Sequence, residues 1–372
     1  YNDTFLAKEW AHPSDNFGTV YSYFYANPNF KFIDFTTALT KAYEIQGSLC
    51  LGTSLNQLGY DHVFYVKLAS GAVFSSLLSK GNEKIVHRTI NHILLDGPSL
   101  RSYRHFPNVG KRKSWAAADA SKRGIELAKI SQLNDEVYSS IQDDKNWGFE
   151  KNYLNDSEIK FGKELNDWVI QNVLFKVLFP AEFHGQSAVE GSIKLSKEFN
   201  QNIDKVKKIN IFTHEPAIRI IANKENLSNA SDRDHSLEYM VSAALLFGEL
   251  KYEMYGNDFS GLNKIESLRK KIVVSEDSNF TKNYYEFSKR HISNSIEIVY
   301  DDNSTSEKIT IENPIGHPSR REEAIPLLKD KFIRNVQKVL SLEKSMSLWE
   351  QVINLEKDDE LTKFFNILQD DE

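Results

Sequence analysis

The spacing of apolar residues changes twice along the 372-residue chain, and no other feature of the sequence limits its fold as strongly. In the first part, apolar residues recur every three or four positions, which is typical of amphipathic helices. One such run covers residues 35–49, with Gly47 and Gly52 marking its end. A second run, over 66–77, is rich in small residues that allow close helix contacts, so it predicts a central helix.

Two further helices are expected before residue 130. One covers 85–94, and the other begins at the alanine run 116–118, because alanine has the highest helix propensity and Ser114 is a suitable N-cap residue. Helical spacing returns between Ala324 and Val339, in a segment expected to pack back on the first part.

The second half of the chain alternates between apolar and polar residues, as strands do. A strand is expected over 206–213, with its alternation broken at Lys207 and Lys208. A hairpin with a longer loop is expected over 296–311, and helices over 186–199 and 235–250. The sequence therefore predicts a mainly α protein with an α+β second domain. The large all-helical domain would comprise 1–168 and 321–372, and the smaller α+β domain, 169–320, would be inserted between them.

Composition restricts the partners and cofactors. Lys and Arg total 46 and Asp and Glu total 52, a net charge of −6, which argues against nucleic acid as the main partner. No apolar run approaches the ~20 residues that span a bilayer, so no membrane segment is expected. Cys50 is the single cysteine and cannot hold an iron–sulfur cluster alone. Since no metal-binding spacing occurs either, no metal or cofactor is predicted.

Candidate acid–base residues lie near the start of the chain. A carboxylate at Asp3 and an imidazole at His12 could act as orienting group and base. The alternative is a capped helix start, with Ser14 or Asp15 as N-cap and His12 exposed. Asp61 and His62 form a similar pair before the central helix, where Asp61 could equally be a plain N-cap.

A basic segment and an apolar segment supply further candidates. Residues 101–113 combine Tyr103, Arg112 and Lys113 with other basic side chains ahead of a helix start, which suits an anion site. The alternative is a solvated basic loop. Lys176 and His184 lie among apolar residues, where a desolvated lysine needs a partner or an anionic ligand.

Several segments, in order over essentially the whole chain, carry a more specific signal. They are YNDT at 1–4, EWAHPSDN at 9–16, LRSYRH at 100–105, RKSWAA at 112–117, NVLFK at 172–176, FPAEFH at 179–184, DRDH at 232–235 and PIGH at 314–317. Together they resemble the MmgE/PrpD family and, within it, the 2-methylcitrate dehydratases of PrpD type.

The resemblance implies a fold, a site and a reaction. The fold would be a large helical domain and an inserted α+β lid, in a homodimer without metal or cofactor, with the active site in the cleft between the domains. The resemblance implies catalytic roles for Asp3, His12, His62 and Lys113. It implies substrate-binding roles for Thr4, Tyr103, Arg112, Lys176, His184, Gln186 and Tyr239. His184 and Gln186 are alternatives for one family position, and the family has helices before the position of residue 1.

The reaction implied is the dehydration of 2-methylcitrate to 2-methyl-cis-aconitate in propionate catabolism. One histidine would remove a proton, the other would protonate the leaving hydroxyl, and Asp3 would orient the ring of His12. Two alternatives stay open: a decarboxylase of cis-aconitate on the same scaffold, and a non-catalytic homologue that acts as a binding protein. The expected location is the mitochondrial matrix in a eukaryote and otherwise the cytoplasm, with no targeting segment visible.

Overall fold

The computed structural model describes residues 3–105, 107–133, 138, 140–199, 203–222, 226–286 and 288–368. The chain forms two compact units. Of the described residues, the helical unit comprises 3–174 and 329–368, and the α+β unit comprises Phe175–Leu328. The sequence analysis sets these divisions a few residues earlier, at 168 and 320.

The α-helices, in chain order, are α1 Phe17–Ala26, α2 Phe32–Gly52, α3 Val63–Leu78, α4 Glu83–Asp96, α5 Ala116–Leu133, α6 Phe149–Tyr153, α7 Trp168–Asn172, α8 Gln186–Phe199, α9 Glu215–Ile221, α10 Ala230–Arg233, α11 Leu237–Phe247, α12 Leu262–Arg269, α13 Ser278–Tyr285, α14 Arg321–Val336, α15 Leu342–Ile353 and α16 Leu361–Ile367. The strands are β1 Val206–Thr213, β2 Ile272–Glu276, β3 Asn294–Tyr300 and β4 Ile309–Ile311. The predicted class, mainly α with an α+β domain, is confirmed.

Helix α3 is the central helix of the helical unit, as predicted. All of its residues from Val63 to Ser75 are buried. Small residues allow α5 to approach it closely, because a Cβ added at Gly124 would lie only 2.8 Å from the Lys67 carbonyl oxygen and 3.0 Å from the Gly71 nitrogen. A larger residue at Gly124 would therefore push the two helices apart.

Two local predictions about helix ends are wrong. Gly47 lies inside α2 and does not end it, because Val169 packs against the position where a side chain would be, with its Cγ1 2.4 Å from a Cβ added there. Ser114 does not cap α5, since it is the last residue of a 3-10 turn, Lys111–Ser114, and the helix begins at Ala116. The packing of Val169 on Gly47 joins positions that are distant in sequence, which the local sequence does not reveal.

The C-terminal helix packs within the helical unit. Phe364 and Phe365 of α16 lie in one buried cluster with Phe24 of α1 and Phe35 of α2. The ring centroids of Phe35 and Phe364 are 5.5 Å apart. Chain segments more than 300 positions apart in sequence thus share one core.

The α+β unit is built on a four-stranded sheet with the order β2-β1-β3-β4. Strand β1 pairs in parallel with β2 and antiparallel with β3, and a register irregularity lies between Val206 and Lys208, where the sequence alternation breaks. The sequence analysis does not predict β2. It is a short edge strand in which Ile272 is the buried residue, so its alternation is weak.

Candidate active site

A short loop brings the residues around Asp3 next to His12. The backbone of Phe5 pairs with that of Ala11, with the Phe5 N–H donating to the Ala11 oxygen at 2.8 Å. Thr4 exchanges two backbone hydrogen bonds with Leu174, which anchors the start of this segment. A 3-10 turn, Pro13–Asn16, follows His12 directly and directs the chain into α1. The sequence alternative of a fully exposed His12 is wrong, because the residue is half-buried.

The hydrogen bond that orients His12 comes from the backbone and not from a carboxylate. His12 Nδ1 lies 2.6 Å from the backbone oxygen of Asp3, and the Thr4 hydroxyl is 3.3 Å from the same nitrogen. A carbonyl oxygen can only accept, so Nδ1 carries the proton and Nε2 of a neutral ring has the lone pair. The expected contact from the Asp3 side chain is therefore corrected to its backbone oxygen.

The Asp3 carboxylate points to a different set of partners. Its Oδ1 accepts the N–H of Ser14 at 3.0 Å, and its side chain is also hydrogen-bonded to Tyr43. Burial raises the pKa of Asp3, and these hydrogen bonds oppose part of the rise. Asp3 thus fixes the turn after His12 with its side chain and the His12 ring with its backbone.

His62 lies beside His12. Their ring centroids are 5.7 Å apart with an interplanar angle of 71°, and His62 is buried. Burial lowers the pKa of His62 well below its usual value, so the ring is neutral at neutral pH. His62 Nδ1 is 3.2 Å from Asp61 Oδ1. The structure therefore brings together two histidines that are 50 residues apart in sequence.

Asp61 contacts both the start of α3 and two neighbouring side chains, His62 and Arg104. Its Oδ1 accepts the N–H of Val63 at 3.1 Å at the start of α3, and its Oδ2 accepts from Arg104 Nε at 2.5 Å. Burial alone would raise the pKa of Asp61, but the charge and the hydrogen bond of the Arg104 guanidinium outweigh it and lower the pKa. Asp61 is therefore an ionised, buried group that fixes both His62 and Arg104.

Asp15 is a functional candidate that sequence reasoning treated only as a helix cap. Its carboxyl lies in the same electrostatic environment as Asp3, Asp61 and Arg104. Burial, and then the nearby Asp3 carboxyl, raise the pKa of Asp15 to about 8. At neutral pH Asp15 therefore holds a proton, as a general acid must. The signal in the sequence was only its position three residues after His12.

The basic segment forms a stack of cations and rings. The guanidinium of Arg112 lies 4.5 Å from the Trp115 ring centroid and 5.4 Å from that of Tyr103, and the Arg104 guanidinium is 5.1 Å from Tyr103. Arg112 also lies 3.6 Å from Asp119. Lys113 is half-buried in the adjacent 3-10 turn. Arg104 was not among the predicted site residues, although it is the arginine bound to Asp61.

The candidate residues of the α+β unit differ in exposure. His184 is buried, with Nδ1 2.8 Å from Glu182 Oε1 and Nε2 3.2 Å from the Tyr284 hydroxyl. Gln186 donates to the backbone oxygens of Phe179 and Ala181. Lys176 is half-buried.

Tyr239 is fully buried in the core of the α+β unit. Its hydroxyl donates to the backbone oxygen of Met254, and its ring stacks on Tyr255. These contacts, like those of His184 and Gln186, favour a structural role, and the predicted substrate contacts of all three stay predictions.

Among the described residues, no group of three or more His, Cys, Asp or Glu side chains is arranged to hold a metal ion. Nor does any described helix have the length and apolar character to cross a membrane.

The fold and the site define a class of two-unit proteins, one unit helical and the other α+β. The paired histidines and the protonated carboxyl suit acid–base chemistry, and the arginines suit an anionic ligand. The chain belongs to the MmgE/PrpD family. Residues 1–162 match the family model of the MmgE/PrpD N-terminal domain, and residues 179–357 match that of the MmgE/PrpD C-terminal domain. The family resemblance predicted from the sequence is thereby confirmed.

Curated relatives are similar over most of the chain. The 2-methylcitrate dehydratase of Escherichia coli K12 is 40% identical over 348 residues, which cover 90% of this chain and 72% of that protein. The mitochondrial 2-methylcitrate dehydratase of Yarrowia lipolytica is 39% identical over 91% of this chain and 67% of its own length. A 2-methylcitrate dehydratase-like protein of Aspergillus oryzae is 33% identical over 92% of this chain and 72% of its own length.

Proposed function

We propose that this protein is a hydro-lyase that converts 2-methylcitrate to 2-methyl-cis-aconitate and water. The observation that carries the proposal is the His12–His62 pair, in which the backbone oxygen of Asp3 accepts from His12 Nδ1, so that the lone pair of the neutral His12 ring is on Nε2. Relatives that are 37–40% identical over about nine-tenths of the chain and carry the name 2-methylcitrate dehydratase support this substrate.

His12 is proposed as the base. The C–H bond that must break lies α to a carboxylate and is weakly acidic, so the developing negative charge has to be stabilised by nearby cations and donors. The electron pair of that bond forms the new C=C bond, and the C–O bond of the hydroxyl breaks. A neutral imidazole whose lone pair is on Nε2 suits the removal of this proton.

Asp15 is proposed as the acid that protonates the departing hydroxyl, so that water leaves. The resemblance gave this role to one of the two histidines without deciding which, but burial keeps His62 neutral, whereas Asp15, with a pKa of about 8, holds a proton. His62 would then position the reacting groups together with Asp61. The proton removed by His12 returns to solvent after product release, and Asp15 is reprotonated.

Arg112 and Lys113 are proposed to bind carboxylates of the substrate, with Thr4 and Tyr103 as hydrogen-bond donors. The rings of Tyr103 and Trp115 hold the faces of the Arg112 guanidinium, and a planar carboxylate of the substrate would replace Asp119 at its edge. Lys176 is retained as a proposed carboxylate-binding residue, whereas His184, Gln186 and Tyr239 are proposed to support the structure of the α+β unit.

The remaining parts of the proposal concern context. We propose a homodimer that works without metal or cofactor, the latter because the sequence has one cysteine and no metal-binding spacing. A role in propionate catabolism follows from the proposed substrate. A mitochondrial location is proposed for a eukaryotic source, by analogy with the mitochondrial relative of Yarrowia lipolytica.

The test is product analysis with purified protein. Incubation with a mixture of 2-methylcitrate stereoisomers should give an alkene tricarboxylate, followed by ultraviolet absorbance and identified by proton NMR. Treatment with EDTA should leave the rate unchanged. Release of CO2 from cis-aconitate would instead support the decarboxylase alternative, and binding of tricarboxylates without turnover would support the binding-protein alternative.

A further inference from the structure

Asn16, the last residue of the 3-10 turn that follows His12, lies at the centre of a buried polar network. Its Nδ2 donates to Gln46 Oε1 of α2 at 2.6 Å, and its Oδ1 accepts from the Ser70 hydroxyl of α3 at 2.8 Å. All three side chains are fully buried. We refer to Asn16, Gln46 and Ser70 as the Asn16 network. The network connects the turn to two helices of the helical unit.

The direction of each hydrogen bond around Asn16 is defined. A second hydrogen of Asn16 Nδ2 is donated within the turn to the Pro13 backbone oxygen at 3.0 Å, and a flipped amide would place oxygen against oxygen there. The Thr19 hydroxyl donates to Ser70 Oγ at 3.1 Å, which directs the Ser70 proton to the Asn16 oxygen. The Asn16 amide therefore uses both of its donor hydrogens and its oxygen.

The turn held by this network carries the proposed acid. Asp15 directly precedes Asn16, and its N–H donates to the backbone oxygen of His12 at 2.9 Å. On the other side of Asp15, the N–H of Ser14 donates to the Asp3 carboxylate at 3.0 Å. Asp15 thus lies between two neighbours that are each held by a hydrogen bond, so the direction of its side chain depends on both.

The chemistry of the network favours a positional role over a purely stabilising one. Buried hydrogen bonds between side chains add modest net stability, whereas they define one geometry because each bond is directional. Gln46 Nε2 is buried and has no hydrogen-bond partner among the described residues. A buried donor without a partner lowers stability, so stability alone does not account for a glutamine at this position.

We propose that Asn16 is a positioning residue for the proposed dehydration, through which α2 and α3 fix the turn so that the Asp15 carboxyl reaches the departing hydroxyl. This role rests on the proposed function, because it concerns how the acid of that reaction is held. The Asn16 side chain is itself fully buried and acts through the turn, without contact to the substrate. A displacement of about 1 Å in a reacting group can lower the rate about 10²-fold, so a small shift of the turn should be visible in kcat.

The test removes one hydrogen bond of Asn16 at a time and measures kcat and KM for 2-methylcitrate. Ser70→Ala removes the donor to Asn16 Oδ1, and Gln46→Met replaces the acceptor from Asn16 Nδ2 with an apolar side chain of similar volume. Each should lower kcat about 10-fold or more and change KM by less than about 2-fold, because the turn shifts without loss of a substrate contact. Ser75→Ala is the matched control and should keep full kcat, since it removes an equally buried hydroxyl of α3 that donates only to the Ala72 backbone oxygen.

A second measurement separates positioning from a general loss of structure. In an Asp15→Asn background, in which the acid is absent, Ser70→Ala should lower kcat no further. A purely structural effect would lower kcat in both backgrounds. Circular dichroism and melting temperature verify folding, and because Ser70→Ala and Gln46→Met reach Asn16 from different helices, one variant that does not fold leaves the other to decide.

Full kcat in the two network variants would overturn this role of Asn16, as would an equal loss in Ser75→Ala or the same further loss in the Asp15→Asn background. An active wild type with unaffected network variants would leave the proposed function standing. A wild type that does not turn over 2-methylcitrate would instead overturn the proposed function, and this role of Asn16 with it.

Discussion

The Nδ1 atom of His12 lies 2.6 Å from the backbone carbonyl oxygen of Asp3. This contact decides the tautomer of the ring, because a carbonyl oxygen accepts a hydrogen bond and cannot donate one, so the proton is on Nδ1. The contact also separates two functions of Asp3, since its carboxylate is occupied by Ser14 and Tyr43. Substitution of the Asp3 side chain should therefore affect the His12 ring only indirectly.

Replacing His12 with asparagine tests its role as the base. The asparagine amide occupies the place of Nδ1 and can still donate to the Asp3 oxygen, but nothing replaces Nε2. We expect His12→Asn to lower kcat by roughly 10²–10⁴-fold with little change in melting temperature. His87→Asn, at an exposed position of α4, is the control and should keep full activity. Full activity of His12→Asn would remove His12 from the mechanism.

The activity of the protein should depend on the protonation of Asp15. Because its pKa lies at about 8, the proposed acid is protonated below that pH and ionised above it. The rate should therefore fall as pH rises through about 8, and Asp15→Asn should lower kcat and abolish this limb of the profile. An unchanged alkaline limb in Asp15→Asn would assign the limb to another group. The measurement is kcat and kcat/KM between pH 6 and 10.

The same carboxyl makes stability depend on pH. Its pKa is raised in the folded state, so between the ordinary value near 4 and about 8 the folded protein holds a proton that the unfolded chain has released. The stabilisation is fully present at low pH and is lost as pH rises through about 8. We expect the free energy of unfolding to fall over this range in the wild type and to fall less in Asp15→Asn, as measured by urea denaturation at several pH values.

The buried ion pair between Asp61 and Arg104 should be more important for stability than exposed pairs. Asp61→Asn leaves the Arg104 charge in a largely desolvated place, and removal of one partner of a buried pair typically costs about 3–5 kcal/mol. Asp119→Asn removes the exposed partner of Arg112 and should lower the free energy of unfolding by less than about 1 kcal/mol. If the double variant Asp61→Asn/Arg104→Gln is no more stable than Asp61→Asn, the stranded charge is not the cause.

Close backbone packing at Gly52 gives a prediction about the fold alone. A Cβ there would lie 1.9 Å from the Lys160 carbonyl oxygen. Gly52→Ala should therefore lower the free energy of unfolding by about 1–3 kcal/mol or more, as overpacking does. Gly18, in α1, has no atom within 4 Å of an added Cβ. Gly18→Ala should therefore raise the free energy of unfolding by roughly 0.5–1 kcal/mol, because alanine has the higher helix propensity. Chemical denaturation compares both with the wild type, and similar effects of the two substitutions would contradict the packing argument.

The spacing of apolar residues predicted many helices and strands, because this spacing is a property of each segment by itself. The helix Gln186–Phe199 and the strand Val206–Thr213 were expected at these bounds, since apolar spacing over one element reflects a single buried face. The pattern failed where another segment decides the outcome. Val169 makes Gly47 a packing position inside a helix, and the edge strand Ile272–Glu276 is recruited by β1 although it has little alternation of its own.

The site shows the same division. The sequence placed Asp3, His12, Asp61 and His62 among the candidates, because carboxylates and imidazoles near helix starts are chemically conspicuous. It did not single out Asp15 as an acid, since a raised pKa is caused by burial and by neighbours that arrive through folding. The burial of Tyr239 in a core is likewise not visible in the sequence, and the substrate contact that the resemblance implies for this residue stays a prediction.

The sequence by itself determined the family, the mainly α class and the chemical inventory of the site, because these depend on residue types and their local spacing. Only the tertiary structure decided which atom of Asp3 holds His12, that His12 and His62 meet, and that Asp15 keeps its proton. Hydrogen-bond partners and pKa values depend on distance and desolvation. Distances and desolvation are established only when separate segments of the chain pack together, so hydrogen-bond partners and pKa values are decided at that stage.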